Sequence, residues 1–359
     1  MTTLPHTISA ERGWIHGAAL DLGIFLGPWI VVAALWAARG GDGASTALWW
    51  SQFVLGNTTH VVLTFVLLAA RADVLRATPS QARIVVAGSL LTFALSWALF
   101  RGVKAAIPDW TDFALAVAAI FGTHHRLSQA KGIWSLYNLR GAQLSRPAPS
   151  GRERALQQHW VSVGLVVVMV AWLFVPSGPG RMFPLLQAIP REPAMLPHAA
   201  AYLLAAAWLA FVAALLVELG RASPRSAPKM LHVGTHGAAV TLAVVAPLWG
   251  SIVWGAIHGL EYYFLCARMM RPREGDAAPG PSARWVWPLM LLSMAPLFLV
   301  GLAIAPFAAV RPALPSGWAE EALIVVNALV MAHYFADAFI YRFRIPGVRQ
   351  VALRRLGFA

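Results

Sequence analysis

The chain has 359 residues, 58% of them apolar and only 12% charged. A water-soluble domain carries about 25% charged residues, so the composition excludes a soluble enzyme and predicts an all-α, polytopic membrane bundle that is one integral-membrane domain over 1–359. The single cysteine, Cys266, excludes an internal disulfide and a thiolate-built zinc or iron–sulfur site. The net charge of +13 does not signal a nucleic-acid partner. The basic residues lie between apolar runs, where they orient helices and meet anionic membrane lipids.

A helix needs roughly 20 apolar residues to cross the ~30 Å hydrocarbon core. In chain order the apolar runs predict ten spans, at about 17–38, 48–70, 82–104, 111–132, 157–175, 198–219, 231–248, 251–269, 285–309 and 318–342. The start, 1–12, is polar and lacks the short apolar core of a cleavable signal peptide. Residues 230–260 carry no Asp, Glu, Lys or Arg and are too long for one helix, so a tight turn is expected near Pro247 and Gly250. Trp14, Trp49, Trp50, Trp110, Trp287 and Trp318 fall near span ends, as headgroup anchors do.

Orientation follows from Lys and Arg. One set of loops and tails holds 22 of the 28 basic residues, including Arg12, the runs within 126–154 and the tail from Arg342. The other set holds six: Arg39, Arg101, Lys104, Arg181, Arg191 and Arg311. The positive-inside rule places both termini and the basic set in the cytoplasm of a bacterial-type inner (plasma) membrane. The loop 133–156 reads as a solvated connector, although the segment Thr123 to Asn138 has no helix breaker except Gly132 and suits an inner-face helix.

Nine of the eleven histidines then lie between mid-bilayer and the inner surface; His6 and His198 do not. A histidine in hydrocarbon is costly and by default functional. His60 is near mid-bilayer in span 2, His124 and His125 are in the inner part of span 4, His232 and His236 begin span 7, His258 is in span 8, and His333 is in span 10. His232/His236 and His333/Asp337 are i, i+4 pairs, and His258/Glu261 is an i, i+3 pair, so each pair shares one helix face. Such pairs let one helix supply two ligands, or a ligand and the carboxylate that orients it. His124 and His125 point about 100° apart, so one of them faces a given centre. The expected metal ligands are His60, His124, His125, His232, His236, His258, His333, Asp337 and Glu261, with His16, His159 and Asp21 as outlying candidates. Glu261 and Asp337 are also the candidate catalytic carboxylates. Individually, His16, His159 and His232 also suit headgroup depth, and His258 with Glu261 also suits a structural hydrogen bond.

Imidazoles and carboxylates without thiolate suit iron, copper or zinc. One zinc needs only three or four ligands, so the surplus favours non-haem iron, two ions above all. Haem between axial histidines and a zinc hydrolase site are the alternatives. A transporter would place ionisable residues on both sides of the midplane, and here they crowd one side.

His232-Val-Gly-Thr-His236 has the form HxxxH, and His124-His125 ends an HxxHH pattern whose first position, 121, is Phe. In these the chain resembles the membrane fatty-acid desaturases and hydroxylases, di-iron enzymes with histidine boxes near the cytosolic face. His16-Gly17-Ala18-Ala19-Leu20-Asp21 is similar to the first-helix signature of the Brp/Blh family of bacterial β-carotene dioxygenases, with one extra residue between Gly17 and Asp21. That resemblance implies His16, with His232 and His236, as iron ligands. Both imply an O2-dependent oxidoreductase that hydroxylates, desaturates or cleaves a lipid or other apolar substrate. Its electrons would come from a cytoplasmic donor, which the basic run 126–154 could dock.

Overall fold

The computed structural model describes residues 13–39, 59–107, 110–144, 146–175, 196–222, 225–273, 276, 281–304 and 316–358. Among them the regular structure is helical throughout. In chain order the helices are α1 (Ala18–Arg39), α2 (Val61–Ala70), α3 (Ala72–Leu75), α4 (Gln81–Ala106), α5 (Trp110–Gln143), α6 (Gly151–Phe174), α7 (Ala199–Arg221), α8 (Ala227–Val245), α9 (Pro247–Met270), α10 (Val286–Ile304), α11 (Ser316–Ile340) and α12 (Pro346–Leu356).

Five of these are long and apolar enough to cross a membrane: α1, α4, α6, α7 and α11. Their outward faces show why. Ile30 of α1, Leu90 and Leu95 of α4 and Leu203 of α7 are each more than 60% exposed. So large an apolar surface is stable only against lipid or a partner. The packed interior lies on the central pair α8 and α9, where Ala239, Val240, Ala243, Val253, Trp254 and Ile257 are fully buried.

Local sequence sets the elements. Gly17 has φ +118°, a conformation that side-chain-bearing residues avoid, and it turns the chain into α1. Asp21 fixes that turn by accepting the backbone N–H groups of Ile15 and His16 at 2.8 and 3.1 Å. The uncharged stretch divides at Ala246, and Pro247 starts α9 where its missing N–H is not needed. The hairpin there is tight: a Cβ on Gly250 would lie 2.0 Å from the Ala243 nitrogen.

Three expectations change. Span 4 does not stop at 132. α5 runs unbroken through Gly132 to Gln143, because one glycine costs a long helix only about 1 kcal/mol. The expected connector 133–156 is therefore helical over most of its length, since Ser150 caps α6 by accepting from the Glu153 N–H at 2.9 Å. Arg126, counted with the inner loops, sits on α5 with its guanidinium 5.4 Å from the Trp254 ring centre. Trp110 is only 4% exposed and packs into protein rather than anchoring at the surface. Of span 2, the part before residue 59 lies outside the described residues, as do Trp49, Trp50, His6 and residues 176–195.

The last helix among the described residues is α12. α12 is clamped at the basic face of the bundle by ion pairs of Arg355 with Asp73 (2.6 Å) and Asp276 (2.7 Å). Arg71 reaches the same Asp276 at 3.2 Å, and Arg268 donates to the terminal Leu356 carbonyl at 2.7 Å.

Candidate metal centre

Two buried donor groups meet on the central helices. The first joins four elements. One nitrogen each from His60, beside the start of α2, His125 of α5 and His333 of α11 lie within 4.8 Å of one another. His258 of α9 adds a fourth ring, with Nε2 3.3 Å from His60 Nε2 and a ring centre 5.1 Å from that of His125. Two ligand atoms on one ion at about 2.1 Å can be no farther apart than about 4.2 Å. These imidazoles need to close only by tenths of an ångström.

Asp337 backs this group. Its Oδ2 lies 3.6 Å from His333 Nε2 and 3.9 Å from His125 Nε2. Its Oδ1 accepts from the Thr64 and Tyr262 hydroxyls, each at 2.8 Å. Thr64 also contacts the Tyr262 hydroxyl and lies 2.7 Å from His333 Nδ1. A hydroxyl has one hydrogen to give. Since Thr64 gives it to an oxygen, its bond to His333 runs the other way, from Nδ1–H to the Thr64 oxygen. That leaves the His333 Nε2 lone pair facing the cluster, the tautomer a metal requires. His333 Nε2 and His125 Nε2 are buried without a hydrogen-bond partner. Buried orphans of this kind call for an explanation, and a shared cation supplies one. The Tyr334 ring stacks on His125 with centres 4.3 Å apart and fixes its plane.

The second group lies between α8 and α9. Glu261 Oε1 is 3.0 Å from His232 Nδ1 and 3.1 Å from His236 Nε2. His232 Nε2 lies 2.8 Å from the Ala130 carbonyl. A carbonyl can only accept, so Nε2 carries the hydrogen there. In the neutral ring Nδ1 is then a lone pair aimed at a carboxylate oxygen. Two acceptors 3 Å apart repel unless a cation or a proton lies between them. His236 Nδ1 and Glu261 Oε2 are also buried without a partner. The i, i+4 spacing of the two histidines is what lets one helix present both.

Both groups could hold a metal ion. The structure brings six of the expected histidines and Asp337 and Glu261 into them as two groups rather than one ring: His60, His125, His258 and His333 with Asp337, and His232 and His236 with Glu261. Four expected candidates stay outside both groups. His124 and His159 are exposed. The Asp21 carboxylate is occupied by two backbone N–H groups and the Tyr137 hydroxyl at 3.3 Å. His16 is half-buried at the edge of a small cavity that also touches Asp21, Tyr137 and Glu261. Thr64, Tyr262, Tyr334 and the Ala130 carbonyl were not anticipated. Thr64 is i+4 from His60 and Tyr262 is i+4 from His258, a spacing visible in the sequence.

A cavity of about 260 Å3 opens beside the first group, between α5 and α11. His125, Tyr334 and Asp337 form its inner wall, and the exposed Phe121 and His124 stand on its lining. No family model, curated protein or solved structure matches the chain. Its chemistry is therefore argued from this geometry.

Proposed function

We propose that the protein is an integral-membrane, non-haem iron oxidoreductase that uses O2 to hydroxylate, desaturate or cleave an apolar substrate. The observation that carries this reading is the position of His258 and Glu261. They are three residues apart on α9 and serve different donor groups, so the two groups are offset by a rise of about 4.5 Å along one helix. Two-metal sites hold their ions roughly 3.5–4 Å apart. Iron held there supplies the redox chemistry that side chains lack. Glu261 and Asp337 each face imidazoles and supply the negative charge that offsets a buried cation. The cavity beside His125 and Asp337 is walled by Phe121, Ile133, Leu136 and Leu265, which favours an apolar substrate and keeps water from the centre.

Haem fits less well. The His60 and His125 ring centres are 6.5 Å apart, and the rings of His258 and His333 each stand 4.8–5.1 Å from both, which leaves no slot for a macrocycle between them. Zinc needs one group of three or four donors, and here there are two groups. The reading places the chain in a bacterial-type inner membrane, with electrons arriving from an acidic cytoplasmic donor. The exposed Arg152, Arg154 and Arg225 suit such a docking partner.

The test is a comparison of lipid extracts from membranes containing the wild-type or the His236→Ala chain, incubated with isotopically labelled O2 and a reductant. The reading expects one apolar compound to gain label, lose hydrogen or be cleaved with the wild type alone. Identical extracts under supplied iron, reductant and O2 would overturn it.

A further inference from the structure

The cavity between α5 and α11 has a second polar layer. His125 and Gln129 are i, i+4 on α5, and Asp337 and Tyr341 are i, i+4 at the end of α11; all four line the cavity. His125 and Asp337 belong to the first donor group. Gln129 and Tyr341 lie one turn, about 6 Å, further along their helices. The rest of the wall is mostly apolar, with Ile133, Leu136, Leu265 and Phe343, and also carries Ser128 and the exposed His124.

Both outer polar groups are unsatisfied. Gln129 Nε2 donates to the His258 carbonyl at 3.1 Å. Only the NH2 end of an amide can do this, so the amide cannot be flipped, and its oxygen is the free end. That oxygen is buried without a hydrogen-bond partner. The Tyr341 hydroxyl has no partner in good hydrogen-bonding geometry either, with the Tyr262 hydroxyl and the Cys266 thiol as its polar neighbours. A buried acceptor and a buried donor left unmade each cost about 1–3 kcal/mol. Two of them on one apolar cavity mark where a ligand's polar group belongs.

Resting on the reading above that this is the substrate cavity, we propose that its ligand is a lipophilic alcohol, an apolar molecule bearing a hydroxyl. The hydroxyl hydrogen goes to Gln129 Oε1 and its oxygen accepts from the Tyr341 hydroxyl. A hydrocarbon makes neither bond. An ether, an ester or an aldehyde accepts from Tyr341 but leaves Gln129 unsatisfied. A carboxylate brings a second acceptor to the Gln129 oxygen and is repelled. The carbon facing the metal donors then lies about one helical turn, roughly 6 Å, from the hydroxyl.

Binding is the readout, so the test does not depend on turnover. Full-length protein in lipid nanodiscs is titrated with radiolabelled decan-1-ol, with empty nanodiscs as the partition control. Unlabelled decan-1-ol, 1-methoxydecane and decanoate compete, and iron-loaded and chelator-treated protein are both measured. The proposal expects decan-1-ol to compete at least tenfold better than the ether and the carboxylate in both preparations. Gln129→Leu should reduce the alcohol-to-ether ratio below about threefold. Tyr341→Phe, which removes one oxygen and leaves the packing, should weaken alcohol and ether alike. An alcohol-to-ether ratio within twofold in the wild type overturns the proposal. So does tighter binding of decanoate, or a ratio unchanged in Gln129→Leu while Tyr341→Phe also binds as the wild type. If the preference persists in a protein that binds no iron and consumes no O2, the oxidoreductase reading fails and this one stands. If iron and turnover are present without the preference, only this one fails.

Discussion

Glu261 Oε1 lies 3.0 Å from His232 Nδ1, while the other nitrogen of that ring is committed to the Ala130 carbonyl at 2.8 Å. This contact places two electron pairs opposite one another in a buried site, and a cation relieves it. Glu261→Gln keeps the shape and removes the charge. It is expected to release metal from the His232/His236 group, halving the metal content, and to lower activity at least ~100-fold. Metal analysis of the purified variant checks this; full wild-type content would show that Glu261 is not a ligand.

Adjacent histidines should behave oppositely. His125 is buried against Tyr334 and the donor group, whereas His124 is exposed. His125→Ala is expected to lose metal from the first group and abolish activity, and His124→Ala to keep both within about twofold. Equal effects of the two substitutions in paired metal and activity assays would contradict the site's geometry.

Thr64 sets the tautomer of His333 through the 2.7 Å contact to Nδ1. Thr64→Val retains the side-chain shape and removes the hydroxyl. The loss of such an orienting partner costs about 10–100-fold in metal affinity, readable by competition with a graded chelator series. Unchanged affinity would mean that the ring is held by packing alone.

The C-terminal clamp should be acid-sensitive. Burial alone would raise the Asp276 carboxyl, but the hydrogen bond from Arg355, the Arg273 N–H at 2.9 Å and the charges of Arg355 and Arg71 outweigh it and hold the group below the usual carboxylate range. A carboxyl whose folded value is depressed stabilises fully above its unfolded value near 4 and loses that contribution as pH falls through the folded value. Protection of 346–356 against hydrogen exchange, taken relative to the intrinsic rate at each pH, should therefore be high at neutral pH and should fall under acid, below about pH 4. Asp276→Asn should show fast exchange already at neutral pH. Equal exchange of wild type and variant at neutral pH would show that the clamp does not hold α12.

The membrane character was legible because the charge is so sparse and the apolar runs so long. The donor set was legible because i, i+4 spacings survive folding into helices: His232/His236 and His333/Asp337 each serve one donor group, whereas the expected i, i+3 pair separates, His258 meeting His60 and Glu261 meeting His232 and His236. What the spacing cannot carry is which helices touch. Nothing local tells that His60 meets His258 while Glu261 meets His236, so a single ring of ligands was the simplest expectation and two groups are found. The choice between His124 and His125 depends on the rotation of α5 about its axis, which is set by its neighbours. The connector 133–156 looked solvated because its residues are polar. Its helix continues because packing of Ile133, Trp134, Leu136 and Tyr137, all at most 5% exposed, outweighs the weak break at Gly132. Thr64 and Gln129 gave no signal by type, since threonine and glutamine are common in helices for other reasons.

The account stands on metal held by two groups of buried side chains. Its most direct test is elemental analysis of purified full-length protein together with His333→Ala and Glu261→Gln, with folding verified by circular dichroism. The account predicts close to two iron ions per wild-type chain and about one in each variant. A folded and active wild-type protein containing no transition metal would contradict it.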